Sequence, residues 1–126
     1  MKSKETMNID YDHDHDILFV SLDDEVYKDY DYSEFLNDSV SIDFTKKNRP
    51  VGVEIANASK QFKTEKVNFH NILSGDINIK INKKTIMLTV SLLVEIRNGS
   101  IHLNPIKVEQ DNLLNIPNIE TNGVIA

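Results

Sequence analysis

A mostly antiparallel β-sheet protein of the α+β class is predicted by three features of the sequence. Apolar residues alternate at period two over long stretches, the gaps between those stretches carry hairpin-type turn residues, and helical spacing is confined to one short central segment. The expected architecture is two meander-like sheets joined by a short helical connector around residues 57–74, in a single domain spanning 1–126. Within it, residues 7–63 form a β-rich first half, 75–108 a three-stranded antiparallel meander and 109–126 an irregular tail.

The first half opens with a short strand over residues 7–11, followed by "ILFVSL", which is too short and too β-branched for a helix. The segment "DDEVYKDYDYSEFLND" alternates Val26, Lys28, Tyr30 and Tyr32 with Tyr27, Asp29 and Asp31, and reads as a solvent-facing edge strand. In "SVSIDF" and "PVGVEI", Val40, Ile42 and Phe44 face one way, as do Val51, Val53 and Ile55, with "TKKNR" as the hairpin loop between them. Asn57 or Ser59 is placed to cap a short turn through Phe62, and Val67, Ile72 and Leu73 fall at roughly helical spacing.

The second half is the clearest β pattern. Ile86, Leu88, Val90, Leu92, Val94 and Ile96 share one face of a long strand that ends at Asn98-Gly99, a pair suited to a type I′ turn. A two-residue turn there sets Ile96 opposite Ile101, Val94 opposite Leu103 and Glu95 opposite His102. Upstream, Ile77, Ile79 and Ile81 match the same face, with Ile81 against Ile86 and Ile79 against Leu88, through either a tight turn at Lys83-Lys84 or a four-residue loop over 82–85. Pro105 suits an edge or a bulge, because it has no N–H for a ladder. The tail is rich in Asn and holds Pro117, with Ile119 or Val124-Ile125 available for a final edge strand.

With 126 residues, 40% of them apolar and 27% charged, the chain has the composition of one globular domain rather than of a disordered segment. The absence of cysteine excludes a disulfide scaffold, a thiolate zinc site and a cysteine nucleophile. "MKSKETMNID" lacks the apolar core of a secretory signal and no stretch is long enough to span a bilayer, so a cytoplasmic protein without membrane attachment is expected. Charge is lopsided: residues 1–45 carry −10 and residues 46–126 carry +4. Such a field repels nucleic acid from the first half and suits a basic partner.

Residues 7–62 resemble the domain of unknown function 2283 family of bacteria and archaea. The residues that carry the likeness are Tyr11-Asp12, Asp16, "ILFVSL", "VSIDF" and "PVGVEIANASKQF", with Val51, Gly52, Glu54, Ile55, Ala58 and Ser59 as the most specific part. The resemblance implies a small β-rich prokaryotic domain with no catalytic residues and a partner-binding role of the antitoxin kind. His13, His15 and the long insert rich in Tyr and Asp depart from the family pattern.

Chemistry-bearing motifs are few. Asp12, Asp14 and Asp16 alternate like the first ligands of a calcium loop, but Ile17 stands where the turn glycine belongs and Asp23 where the bidentate glutamate belongs. His13 and His15, at i and i+2 on an extended chain, form a candidate divalent-metal site with Asp12, Asp14 and Asp16, although such a site needs further ligands. No nucleophile elbow or phosphate-binding glycine loop occurs, so no catalytic residue and no cofactor is expected. The acidic hairpin turn is the simpler reading of residues 12–16.

The segment most suited to recognition is "DDEVYKDYDYSEF". Tyr27, Tyr30, Tyr32 and Phe35 supply rigid amphipathic anchors, and Asp29, Asp31 and Glu34, preceded by Asp23, Asp24 and Glu25, supply a charged rim. The expected function is a non-enzymatic interaction module that binds a basic protein through this segment. A homodimer is expected as well, because two small sheets cover their apolar faces poorly. Metal binding at residues 12–16 and a purely structural oligomeric role are the alternatives.

Overall fold

The computed structural model describes residues 4–125. In chain order the elements are β1 (Glu5–Asp12), β2 (Ile17–Ser21), α1 (Asp24–Tyr27), β3 (Tyr30–Phe35), β4 (Val40–Thr45), β5 (Pro50–Ala56) and α2 (Ala58–Gln61). A 3₁₀ turn (Lys66–His70) leads into β6 (Ile72–Ile81), β7 (Thr85–Ile96), β8 (Gly99–His102), β9 (Ile106–Asp111) and β10 (Ile119–Ile125).

These strands form one mixed ten-stranded sheet in the order β3-β4-β5-β2-β1-β10-β6-β7-β8, with β9 also on β7. The expectation of two sheets is corrected by β1, whose length lets it serve two partners. Its first residues, Glu5 to Met7, pair in parallel with β10, and its last, Asn8 to Asp12, pair antiparallel with β2. Every other pairing is antiparallel.

Period-two patterning places the core as the sequence predicts. Val40, Ile42 and Phe44 on β4 are buried with Val51, Val53 and Ile55 on β5, and Ile77, Ile79 and Ile81 on β6 with the even-numbered apolar residues 86–94 of β7. Ile81 pairs with Ile86 and Ile79 with Leu88, as expected. Buried residues of both halves, from Met7 and Leu18 to Phe69 and Ile125, belong to one hydrophobic cluster.

Several local expectations fail for identifiable reasons. The turn after β7 is made by Arg97-Asn98, so Ile96 pairs with Gly99, Val94 with Ile101 and Leu93 with His102. Gly99 takes φ +152°, open to glycine, and this shifts the register by two residues while keeping the faces. The returning strand is also broken around Pro105, so β8 and β9 occupy successive stretches of the same β7 flank.

The tail is irregular only over residues 112–118, and the strand expected at Ile119 or Val124-Ile125 runs through both, as β10. β10 lies between β1 and β6 rather than at an edge. Its inward residues include Thr121 and Gly123 beside Ile125, which hides the amphipathic pattern. Asn112 explains how the preceding loop holds together. Its side-chain amide donates to the carbonyls of Asn82 and Ile116 at 2.9 and 2.8 Å, and its oxygen accepts the Ile116 N–H at 2.9 Å.

The connector is helical over Ala58–Gln61 and Lys66–His70, but Ile72 and Leu73, read at helical spacing with Val67, open β6 instead. By contrast the acidic insert is only half strand. Asp23 caps α1 by accepting the Val26 N–H at 3.1 Å, and β3 starts after it.

Candidate functional site

β3 is the terminal strand of the sheet and pairs only with β4. The pairing skips a residue: Tyr30 lies opposite Thr45 and Tyr32 opposite Phe44, so Asp31 is bulged out. The bulge reverses the alternation read from the sequence. Tyr30 and Ser33 fall together on the outer face, their hydroxyls 2.9 Å apart, while Tyr32 stacks on Phe44 at 5.1 Å on the core side.

The outer face is organised around a buried carboxylate, Asp43. Leaving a carboxylate buried without partners would be costly, and Asp43 has two: it accepts from the Ser33 hydroxyl at 2.6 Å and from the Tyr27 phenol at 3.0 Å. Gly52, opposite Asp43 on β5, makes the approach feasible, because a Cβ there would lie 3.1 Å from the Tyr27 ring and 3.2 Å from the Asp43 carboxylate. Tyr27 in turn meets Phe19 edge-on at 5.3 Å and stacks on Tyr30 at 5.6 Å. Burial, reinforced by Asp43, pushes the Tyr27 phenol well above its usual range. Tyr32 is raised too, by burial and then by the charges of Glu34 and Asp31, and its hydroxyl donates to the Asn48 side chain at 2.5 Å.

The expected anchors therefore divide. Tyr27 and Tyr32 fasten the insert to the sheet, whereas Tyr30 and Phe35 remain 45% and 60% exposed. Asp29, Asp31 and Glu34 form no ion pair among the described residues. Beside the Tyr30 end of β3 lies a cleft of about 580 Å³, lined by Lys28, Asp29, Tyr30 and Asp31 and by Lys46, Lys47 and Arg49 of the β4–β5 hairpin. Asp43, Ser33 and these hairpin cations were missed from sequence. None carried a signal: in β4, Asp43 falls with Ser41 and Thr45 at the polar positions that alternate with Val40, Ile42 and Phe44, as a solvent-facing residue would.

The Asp/His run forms the β1–β2 turn, and its members point to different duties. Asp16, at φ +55°, accepts the Tyr11 phenol at 2.6 Å, the Ser59 hydroxyl at 2.6 Å and the Ser59 N–H at 3.1 Å, while its own carbonyl accepts the Ala58 N–H at 2.9 Å. Burial opposes its ionisation, but the bonds from Ser59 and Tyr11 outweigh that and hold the carboxyl below its usual value. Asp12 binds the backbone N–H of His15 at 3.1 Å and its ring at 2.8 Å, which lowers the Asp12 carboxyl.

His13 is drawn away from His15. Its Nδ1 lies 2.9 Å from Nε2 of His70, at the end of the 3₁₀ turn. Among the described residues no group of three or more His, Asp or Glu side chains is placed to hold a metal ion, and no helix is long and apolar enough to cross a membrane.

Residues 8–59 match the model of a family described as a protein of unknown function, DUF2283. Its range takes in Tyr11, Asp16, Ala58 and Ser59, the four residues of the turn network, together with Asp43 and Gly52. His70 and everything from β6 onward lie outside it. Neither the curated proteins nor the solved structures give a match to the chain.

Proposed function

We propose, with a family of unknown function matching only part of the first half, that this protein is a non-enzymatic interaction module whose β3 edge takes up an extended basic segment of a partner protein. The observation that carries this reading is a terminal strand, hydrogen-bonded on one side, that presents Tyr30 and Phe35 beside Asp29, Asp31 and Glu34, which form no ion pair among the described residues. An incoming strand would satisfy the open backbone edge, the aromatics would supply contact area, and the carboxylates would select cations.

Charge favours a different chain over a second copy at this edge. In an antiparallel β3–β3 pairing centred between Tyr32 and Ser33, Asp31 would face Glu34 twice, and like charges directly opposite destabilise a ladder. A basic strand turns the same positions into attractive ones. Burial keeps the Tyr27 and Tyr32 phenols protonated at neutral pH, so these two act as hydrogen-bond donors and apolar surface that hold the edge segment in place.

The test compares wild type with an Asp29→Asn, Asp31→Asn, Glu34→Gln triple variant, each purified gently from its own host and weighed intact by native mass spectrometry. A stoichiometric basic polypeptide on wild type, weakened at least about tenfold in the variant (about 1.4 kcal/mol), is expected. A bare wild-type chain, or equal retention by the variant, contradicts the reading.

A further inference from the structure

The His13–His70 pair lies on a surface separate from β3, and no duty assigned so far uses it. The two imidazoles come from elements 57 residues apart, the β1–β2 turn and the last residue of the 3₁₀ turn, yet their nitrogens sit 2.9 Å from each other on the exposed surface. Both rings rest against one phenol. Each meets Tyr11 edge-on at 6.1 Å, the Tyr11 ring lies 4.7 Å from Phe69, and the Asp16 bond holds the Tyr11 hydroxyl. Lys66 ties the 3₁₀ turn to the His13 carbonyl at 3.3 Å, so the turn and the connector are joined beside the rings.

We infer that Nδ1 of His13 and Nε2 of His70 form a two-imidazole chelate for a divalent copper- or nickel-type cation, the proton of their hydrogen bond passing to the far nitrogen of the donor ring so that each facing nitrogen offers a lone pair. The separation selects the geometry. At metal–nitrogen bonds of about 2.0–2.1 Å, nitrogens 2.9 Å apart subtend about 90° at the metal, the cis angle of square-planar and octahedral centres rather than the wider tetrahedral angle of structural zinc. No third His, Asp or Glu among the described residues joins them, so water or a donor on another molecule completes the coordination. Asp12 and Asp14 on the same turn supply negative charge that offsets Lys66. His15 stays outside the chelate: its ring is turned to Asp12 at 2.8 Å, and no group of three or more His, Asp or Glu among the described residues brings it to the pair. The histidine pair that meets is thus not the i, i+2 pair of the sequence motif but one formed by the fold.

Copper(II) or nickel(II) titrated into untagged protein, followed by calorimetry and, for copper, electron paramagnetic resonance, tests the assignment. One equivalent is expected to bind with two nitrogen ligands. His70→Gln and His13→Gln are each expected to weaken binding at least about tenfold, and His15→Gln to leave it within about twofold. Nickel should also raise the melting temperature of wild type but not of His70→Gln, since the ion bridges two elements. Two results would overturn the site. Binding that survives His70→Gln and is lost in His15→Gln would show the linear run chelating by itself. Wild-type binding no tighter than that of a His13→Gln, His70→Gln double variant would leave the pair as a plain imidazole hydrogen bond.

Discussion

Asp16 ties the most distant parts of the first half together, and its contribution depends on ionisation. Because its folded carboxyl is held below the ordinary value, its stabilisation is fully present above the unfolded value of about 3.9 and is lost as pH falls below about 4 toward the lowered folded value. Asp16→Ala leaves the Ser59 N–H and the Tyr11 phenol without their acceptor and is expected to cost about 2–3 kcal/mol at neutral pH. Chemical denaturation at pH 7 and pH 3 checks both points, since the difference between wild type and variant should shrink at the lower pH. Gly52→Ala is expected to cost about 1–2 kcal/mol, because the new methyl presses on Tyr27 and Asp43 where the outer face closes. At this scale the sequence was partly legible: the family-like residues Tyr11, Asp16, Gly52 and Ser59 turn out to be those that brace the turn and the outer face. His70 was not legible beside His13, because only the tertiary path of the connector brings them within reach.

Elements whose pattern is purely apolar were easy to read, and those stabilised by polar or backbone devices were not. β4, β5, β6 and β7 announce themselves by alternation, and the Ile79–Leu88 register follows from it. Residues 24–27 look like a strand from side-chain alternation, yet the Asp23 cap folds them into a helical turn. β10 was expected only as a final edge strand at Ile119 or Val124-Ile125, because Thr121 and Gly123 stand at two of its inward positions and hide its extent. The end of α2 carries a testable strain. The Thr64 N–H reaches the Ser59 carbonyl at 2.9 Å and the Lys63 N–H reaches Lys60 at 3.2 Å, a Schellman ending that places Lys63 at φ +54° where glycine is preferred. Lys63→Gly is expected to stabilise the protein by about 0.5–1 kcal/mol, the relief of left-handed strain less the added chain entropy. Urea denaturation of the variant measures it.

For the whole molecule, the joining of two sheet halves along β1 is what the sequence could not show, because one strand serving two partners has no signature in alternation. A shared core and a shared strand lead to a single cooperative unit. All four tyrosines lie in the first 32 residues, so tyrosine fluorescence reports the first half while far-ultraviolet circular dichroism reports every strand. Coincident unfolding curves are expected from the two probes, and separate transitions would show two independent halves. The most direct measurement is amide hydrogen exchange on the protein with and without the basic polypeptide that the proposed function expects to co-purify with it. Slowed exchange at residues 30–35, lost in the Asp29→Asn, Asp31→Asn, Glu34→Gln variant, is the expected result; a partner that leaves those amides unchanged and protects another surface would contradict a β3 docking edge.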